Sequence, residues 1–335
     1  MADLNQLLKH TARTLYLSAK LLPPTIRPAF CTAYLLCRYA DTIADTPLLP
    51  PEKRLAYVKQ FPQWVLQKNP QAVNELTQQI CSAKDTQHEE NLLRNFPDCL
   101  AALDQLPAQQ QAAILQVVQA VCHGMEIDLQ TFPPETAQHP VAFSQTKELE
   151  NYCHLMGGAP GIFWSQLIVM STVLAVPADQ FCQWGQDLGD ALQIVNILRD
   201  LPRDLRISRC YFPQEELQPL GLSAADLLRP ENAPAFEPVK QKWIAWGRRK
   251  LSSAHAYFTS LPKMAPRHRT AVAWPVLWAA DTLNKLEQAP NLLDPAVRVK
   301  IPRARIYGTM ACTLPILLSD TLFSAWLKNK FPDGK

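Results

Sequence analysis

The chain has 335 residues, enough for a large core, and 47% of them are hydrophobic. Its 33 Lys and Arg against 30 Asp and Glu leave a net charge of +3, which gives no electrostatic reason to expect nucleic acid as a partner and points to small molecules. Nine cysteines are scattered, odd in number and never spaced Cys-x-x-Cys, so the pattern fits reduced thiols of a cytoplasmic protein better than disulfides or a zinc site.

Residues 1–10 lack the long apolar core of a signal peptide. From there on, 29 prolines against 10 glycines punctuate the chain, and proline clusters at 23–24, 47–51, 133–134, 230–238 and 262–266 separate segments of helical periodicity. The first apolar stretch, 30–39, runs into Arg38, Asp41 and Asp45. Residues 112–125 read as a helix. Residues 155–178 carry no charge and are long enough to span a bilayer. Gly157, Gly158, Pro160 and Gly161 at the start, with Ser165, Gln166, Ser171 and Thr172 beyond, favour instead a helix buried in a helical core, and leave a peripheral membrane contact open.

A second apolar stretch, 191–198, leads into Arg199, Asp200 and Asp204, with Pro202 expected to kink or end that helix because it has no N–H for the Leu198 carbonyl. Residues 239–260 place Trp243, Trp246, Leu251 and Tyr257 on one helical face. Strand signals are confined to 209–213, too short to build a sheet, and 297–301, which alternates but stands alone. The expectation is an all-α chain, one domain over 1–335, with helices around a central apolar cavity.

The two Asp-x-x-x-Asp pairs carry the chemistry. Residues four apart share a helical face, so each pair sets two carboxylates side by side, repelling by roughly 0.2–0.5 kcal/mol unless neutralised. A solvated helix face explains a single pair. Two pairs, each with its own Arg (Arg38, Arg199) and the second with Gln193 and Asn196 one turn apart, suggest a site where Mg2+ joins carboxylates to substrate phosphates, and hence a diphosphate substrate.

With both motifs in view, the chain resembles the squalene and phytoene synthase family of head-to-head prenyl-diphosphate condensing enzymes. The resemblance rests on Thr11-Ala-Arg-Thr-Leu-Tyr, Leu21-Leu-Pro-Pro, Tyr34-Leu-Leu-Cys-Arg-Tyr-Ala-Asp41, Tyr152-Cys-His-Leu-Met-Gly-Gly, residues 193–204 and Arg209-Cys-Tyr-Phe-Pro213. It implies the isoprenoid synthase fold. It further implies metal binding by Asp41, Asp45, Asn196, Asp200 and Asp204, and diphosphate binding by Arg13, Thr14, Tyr34, Arg38, Gln193 and Arg209. Tyr152 and Arg199 are the implied catalytic residues, Tyr152 in proton transfer or carbocation stabilisation and Arg199 at the leaving group. Phe30, Tyr39, Phe163, Trp164, Leu167 and Trp274 could line an apolar pocket, although each also suits plain core packing. Thr46 and Arg203 stand where relatives often carry acids, which lowers the charge available to a metal at both motifs.

The Tyr152-Cys-His motif, Asp41-Thr-Ile-Ala-Asp and the basic segment Val299-Lys-Ile-Pro-Arg303 look most like squalene synthases. The implied reaction condenses two farnesyl diphosphates to presqualene diphosphate and reduces it to squalene with NADPH, held by Lys300 and Arg303. No Gly-x-Gly-x-x-Gly follows a strand, so any NADPH would sit in the helical cavity. The alternatives are a phytoene, dehydrosqualene or hydroxysqualene product made without NADPH, and a catalytically silent assembly subunit. Residues 306–327, interrupted by Pro315 and Asp320, do not read as an apolar anchor, which suggests a cytoplasmic enzyme that at most touches the inner face of a membrane.

Overall fold

A computed structural model describes residues 20–71, 73, 93–134 and 139–330. Among these, α-helix dominates and the strands amount to two residues each, in keeping with the all-α expectation. The chain divides into two compact units, residues up to 130 with 166–171, and 131–165 with 172 onward.

The first unit holds α1 (Arg27–Asp45), α2 (Pro51–Leu66), α3 (Phe96–Asp104) and nearly all of α4 (Ala108–Thr131). Proline opens α1, α2 and α3 within their first two positions, where its missing N–H costs nothing. α1 packs on α2 and α3. At that junction Tyr39 meets Phe96 edge-on at 5.1 Å, and Phe61 lies 5.7 Å from the same ring.

The second unit begins with β1 (Val141–Ala142), α5 (Thr146–Cys153), a π-helical turn (His154–Gly158) and the first part of α6 (Ala159–Ser171). It continues through α7 (Ala178–Arg206), β2 (Arg209–Cys210), α8 (Gln214–Leu217), α9 (Ala233–Leu251), α10 (Ala254–Thr259) and α11 (Pro266–Gln288). It closes with α12 (Arg303–Ala311), α13 (Thr313–Leu318) and α14 (Asp320–Lys330). The long α7 is its axis, touching the π turn, α5, β2, α9, α10 and α11. Glycines permit the closest of these approaches: a Cβ on Gly189 would overlap the Gly157 carbonyl, and one on Gly161 would overlap that of Gly185. Asp179 in the first turn of α7 and Arg203 and Arg206 in its last suit the helix dipole.

Several expectations are corrected. Pro202 does not end its helix; α7 runs on to Arg206, and Arg206 Nη1 donates to the Pro202 carbonyl. The 239–260 segment is two helices, interrupted at Ser252–Ser253. Of the charge-free 155–178 segment 159–171 is α-helix and Ala178 already opens α7, while Val173 between them is 87% exposed. Among the described residues no helix is long and apolar enough to cross a membrane. Residues 209–210 do pair, in parallel with 141–142, a partner too distant in sequence to be anticipated. Residues 297–301 form no strand.

Candidate active site

On α1 the helix repeat sorts the residues by chemistry. Leu35, Leu36, Tyr39, Ala40, Thr42, Ile43 and Ala44 are buried, whereas Tyr34, Arg38, Asp41 and Asp45, at i, i+4, i+7 and i+11, form a stripe that is not. Arg38 Nη1 pairs with Asp41 Oδ2. Thr46, just past the helix, is buried and its Oγ1 accepts from the Leu48 N–H at 3.4 Å.

α7 repeats the arrangement. Ile194, Val195, Ile197, Leu198, Leu201 and Leu205 are buried, while Gln193, Asn196, Asp200 and Asp204 follow one another along a solvent-accessible face. Arg199 grips Asp200 through both nitrogens of its fork, Nε to Oδ1 at 2.9 Å and Nη2 to Oδ2 at 2.6 Å, and that bond raises the Arg199 pKa above its ordinary value. All four side chains of the two Arg–Asp pairs are more than a third exposed, and such pairs are worth only about 0–1 kcal/mol. A metal ion or an anionic substrate can therefore redirect the carboxylates and guanidiniums at little cost.

A cleft of about 520 Å³ opens beside this face, lined by Arg199, Asp200, Arg203, Arg206, Arg298 and Lys300 with Pro202, Ile207, Pro295, Val297 and Val299. It joins the end of α7 to the irregular 295–300 segment, and so brings Lys300 to the second acidic motif. Arg303 is exposed in the first turn of α12 and is not part of the lining.

Tyr152 lies in the last turn of α5, which is held at its start by acids: Glu148 Oε2 accepts from the Gln145 N–H at 2.9 Å and Glu215 Oε1 from the Thr146 N–H at 2.6 Å. The strand pairing sets Tyr211, one residue past β2, against it. The two rings stack at 4.8 Å and 25°, and the Tyr152 hydroxyl donates to the Tyr211 oxygen at 3.3 Å. Phe143 flanks both rings at 5.8 and 5.7 Å, and Phe132 meets Tyr211 edge-on at 5.2 Å. The result is a buried aromatic cluster whose polar atoms are phenol oxygens, suited to stabilising positive charge and to passing a proton.

Tyr211 was visible in the sequence inside Arg209-Cys-Tyr-Phe-Pro, yet nothing there paired it with Tyr152. Arg209 sits in β2, half-buried. Arg13 and Thr14 lie outside the described residues. Phe30, Tyr39, Phe163, Leu167 and Trp274 are all buried, and Trp274 Nε1 donates to Thr313 Oγ1 at 2.8 Å, a core contact. The eight described cysteines are free thiols, five of them buried. Burial pushes the Cys31 pKa up to about 11 and, with Asp41 nearby, that of Cys37 to about 12.

Carboxylate oxygens are the donors that Mg2+ prefers, and this ion commonly takes only one or two of them alongside phosphate oxygens. Among the described residues no cluster of three or more His, Cys, Asp or Glu forms a protein-only cage. Paired aspartates on a helical face match the first pattern.

Comparison with known proteins places the chain. The Squalene/phytoene synthase family model matches residues 8–305. Phytoene synthase 3 of Zea mays is 26% identical over 270 residues, covering 80% of this chain and 54% of that protein. A bifunctional lycopene cyclase/phytoene synthase of Pyrenophora tritici-repentis is 30% identical over 241 residues, 70% of this chain and 38% of its own length. The chain thus spans about half the length, or less, of these relatives. Among solved structures, a ligand complex of TcSQS superposes with a TM-score of 0.75 at 20% identity, covering 99% of this chain and 92% of that one. A dehydrosqualene synthase complex gives 0.64 at 19% identity, covering 98% and 96%. These likenesses establish the isoprenoid synthase fold.

Proposed function

Because the chain belongs to the squalene/phytoene synthase family, we propose that it condenses two farnesyl diphosphates head to head and reduces the resulting presqualene diphosphate to squalene. The carrying observation is the pair of acidic stripes, Asp41 with Asp45 on α1 and Asn196 with Asp200 and Asp204 on α7, each beside its own arginine. Bound there, Mg2+ would neutralise the carboxylates and the departing pyrophosphate. Arg38 and Arg199, released from Asp41 and Asp200, donate to the leaving group's oxygens. Tyr34 and Gln193, each one turn ahead on its stripe, orient the diphosphate, with Arg13, Thr14 and Arg209 assigned to the same task. Tyr152, backed by Tyr211, faces the carbocation and moves the proton. Burial of the aromatic cluster keeps water from the cation.

Lys300, on the cleft wall that also carries Asp200, supports the NADPH assignment, and Arg303 joins it by its place three residues on. A specific observation favours a second reading: the relatives named phytoene synthase match over most of this chain, which suits a product formed without reduction. The test is pyrophosphate release from farnesyl diphosphate with and without Mg2+, in the wild type and in Asp41→Ala and Asp200→Ala. Release that needs Mg2+ and both aspartates supports the reading; metal-independent release, or full activity in either variant, defeats it.

A further inference from the structure

We propose that His154 is a positioning residue for Tyr152: it donates from Nδ1 to Asp190 Oδ1, and this bond fixes the π turn His154–Gly158 on α7. The turn begins two residues after Tyr152, so whatever seats the turn also aims the phenol. Asp190 is a carboxylate of α7 only 3% exposed, and its Oδ2 pairs with Lys250 Nζ of α9 at 2.9 Å. Lys250 also donates to Asp187 Oδ1 at 2.9 Å and lies over the Trp246 ring at 5.4 Å. Asp187 Oδ2 accepts from Ser253 Oγ at 2.8 Å. Asp187 is thus satisfied on both oxygens, and Asp190 on one.

The other Asp190 oxygen, Oδ1, and His154 Nδ1 are both buried, and neither has a hydrogen-bond partner. They converge on Gly158, where a Cβ would overlap Oδ1 and press on Nδ1. A buried acceptor and a buried ring nitrogen left unpaired each cost free energy, and a proton on Nδ1 satisfies both at once. Charge points the same way. Lys250 offsets one of two carboxylates, and burial pushes the Asp190 carboxyl above its ordinary pKa against the pull of Lys250 and His154. The carboxylate in turn selects the tautomer of the ring. Gly157 and Gly189 let the turn approach α7 closely but give it no direction. The His154–Asp190 bond supplies one, and π turns of this kind are frequent at functional sites.

The role rests on the condensation proposed above, so the bond and the turnover are read separately. Proton–nitrogen NMR correlation of the histidine rings in the full chain, with the His154 signal identified by its loss in His154→Asn, should show a proton on Nδ1; a bare Nδ1 overturns the proposal. In steady-state kinetics with farnesyl diphosphate and Mg2+, His154→Leu and Asp190→Asn should each lower kcat about tenfold at unchanged KM, because Tyr152 acts on the carbocation and not on the bound diphosphate. His154→Asn, whose amide nitrogen can stand where Nδ1 does, should restore most of the turnover. The His154→Leu/Asp190→Asn double variant should be no slower than the slower single variant. Wild-type kcat in His154→Leu, additive losses in the double variant, or a rise in KM alone, which places the effect at Gln193 beside Gly157, each overturn the proposal. Should Asp190→Asn fail to fold, His154→Leu and the ring spectrum decide. A wild type that makes no condensed product defeats the reaction and the link to turnover, while the ring spectrum still decides the bond.

Discussion

Replacing Tyr152 with Phe separates chemistry from packing at one atom. The side chain is 4% exposed, its ring stacks on Tyr211 at 4.8 Å, and its hydroxyl makes a 3.3 Å hydrogen bond. Tyr152→Phe keeps the stack and removes that bond, a loss of about 0.5–1.5 kcal/mol of stability. In a chain this long, with an unfolding entropy of about 2.1 cal/mol/K per residue, the thermal midpoint should fall by only about 1–2 °C. If the phenol handles the proton, turnover falls by about 10²–10⁴-fold, far more than the stability loss explains. Tyr211→Phe removes the same hydrogen bond but leaves the Tyr152 oxygen, so it should match the thermal shift and keep most of the turnover. The assay is single-turnover product formation from farnesyl diphosphate, with thermal unfolding alongside. Wild-type turnover in Tyr152→Phe refutes the reasoning and makes the residue a packing element.

The acidic stripes predict that Asp41→Ala, Asp200→Ala and Asp204→Ala each abolish metal-dependent ionisation while helical circular dichroism is kept; Asp204 is included on equal terms because α7 continues through it. Activity retained in one variant removes that residue from the metal set. The bidentate Arg248 fork, at 2.7 Å to both oxygens of Glu287, holds that carboxyl below its ordinary pKa of 4.5. A depressed acid stabilises the fold above its unfolded pKa and loses that contribution as pH falls through the folded one. The stability gap between wild type and Glu287→Gln should therefore be full at neutral pH and shrink below pH 4.5, as read by urea unfolding across that range.

The helical stripes were legible because a helix repeats over four residues. Tyr34, Arg38, Asp41 and Asp45 interrupt an apolar run at the positions the fold leaves unburied, and Gln193, Asn196, Asp200 and Asp204 do the same on α7. Contacts between distant segments were not legible. The Tyr152–Tyr211 stack depends on the 141–142 and 209–210 pairing, two residues per strand and without a hydropathy signature. The cationic cleft needs 295–300 to lie along the end of α7, and the alternation at 297–301 suggested a strand instead. Pro202 misled because its missing donor breaks one hydrogen bond, whereas the buried Leu201 and Leu205 on either side keep the helix packed.

Product analysis by gas chromatography after incubation of the chain with farnesyl diphosphate and Mg2+, with and without NADPH, bears most directly on the proposed reaction. Presqualene diphosphate should accumulate without NADPH and squalene should form with it. Dehydrosqualene, phytoene or a hydroxylated product formed regardless of NADPH contradicts the squalene assignment, and the absence of any condensed product contradicts head-to-head synthesis itself.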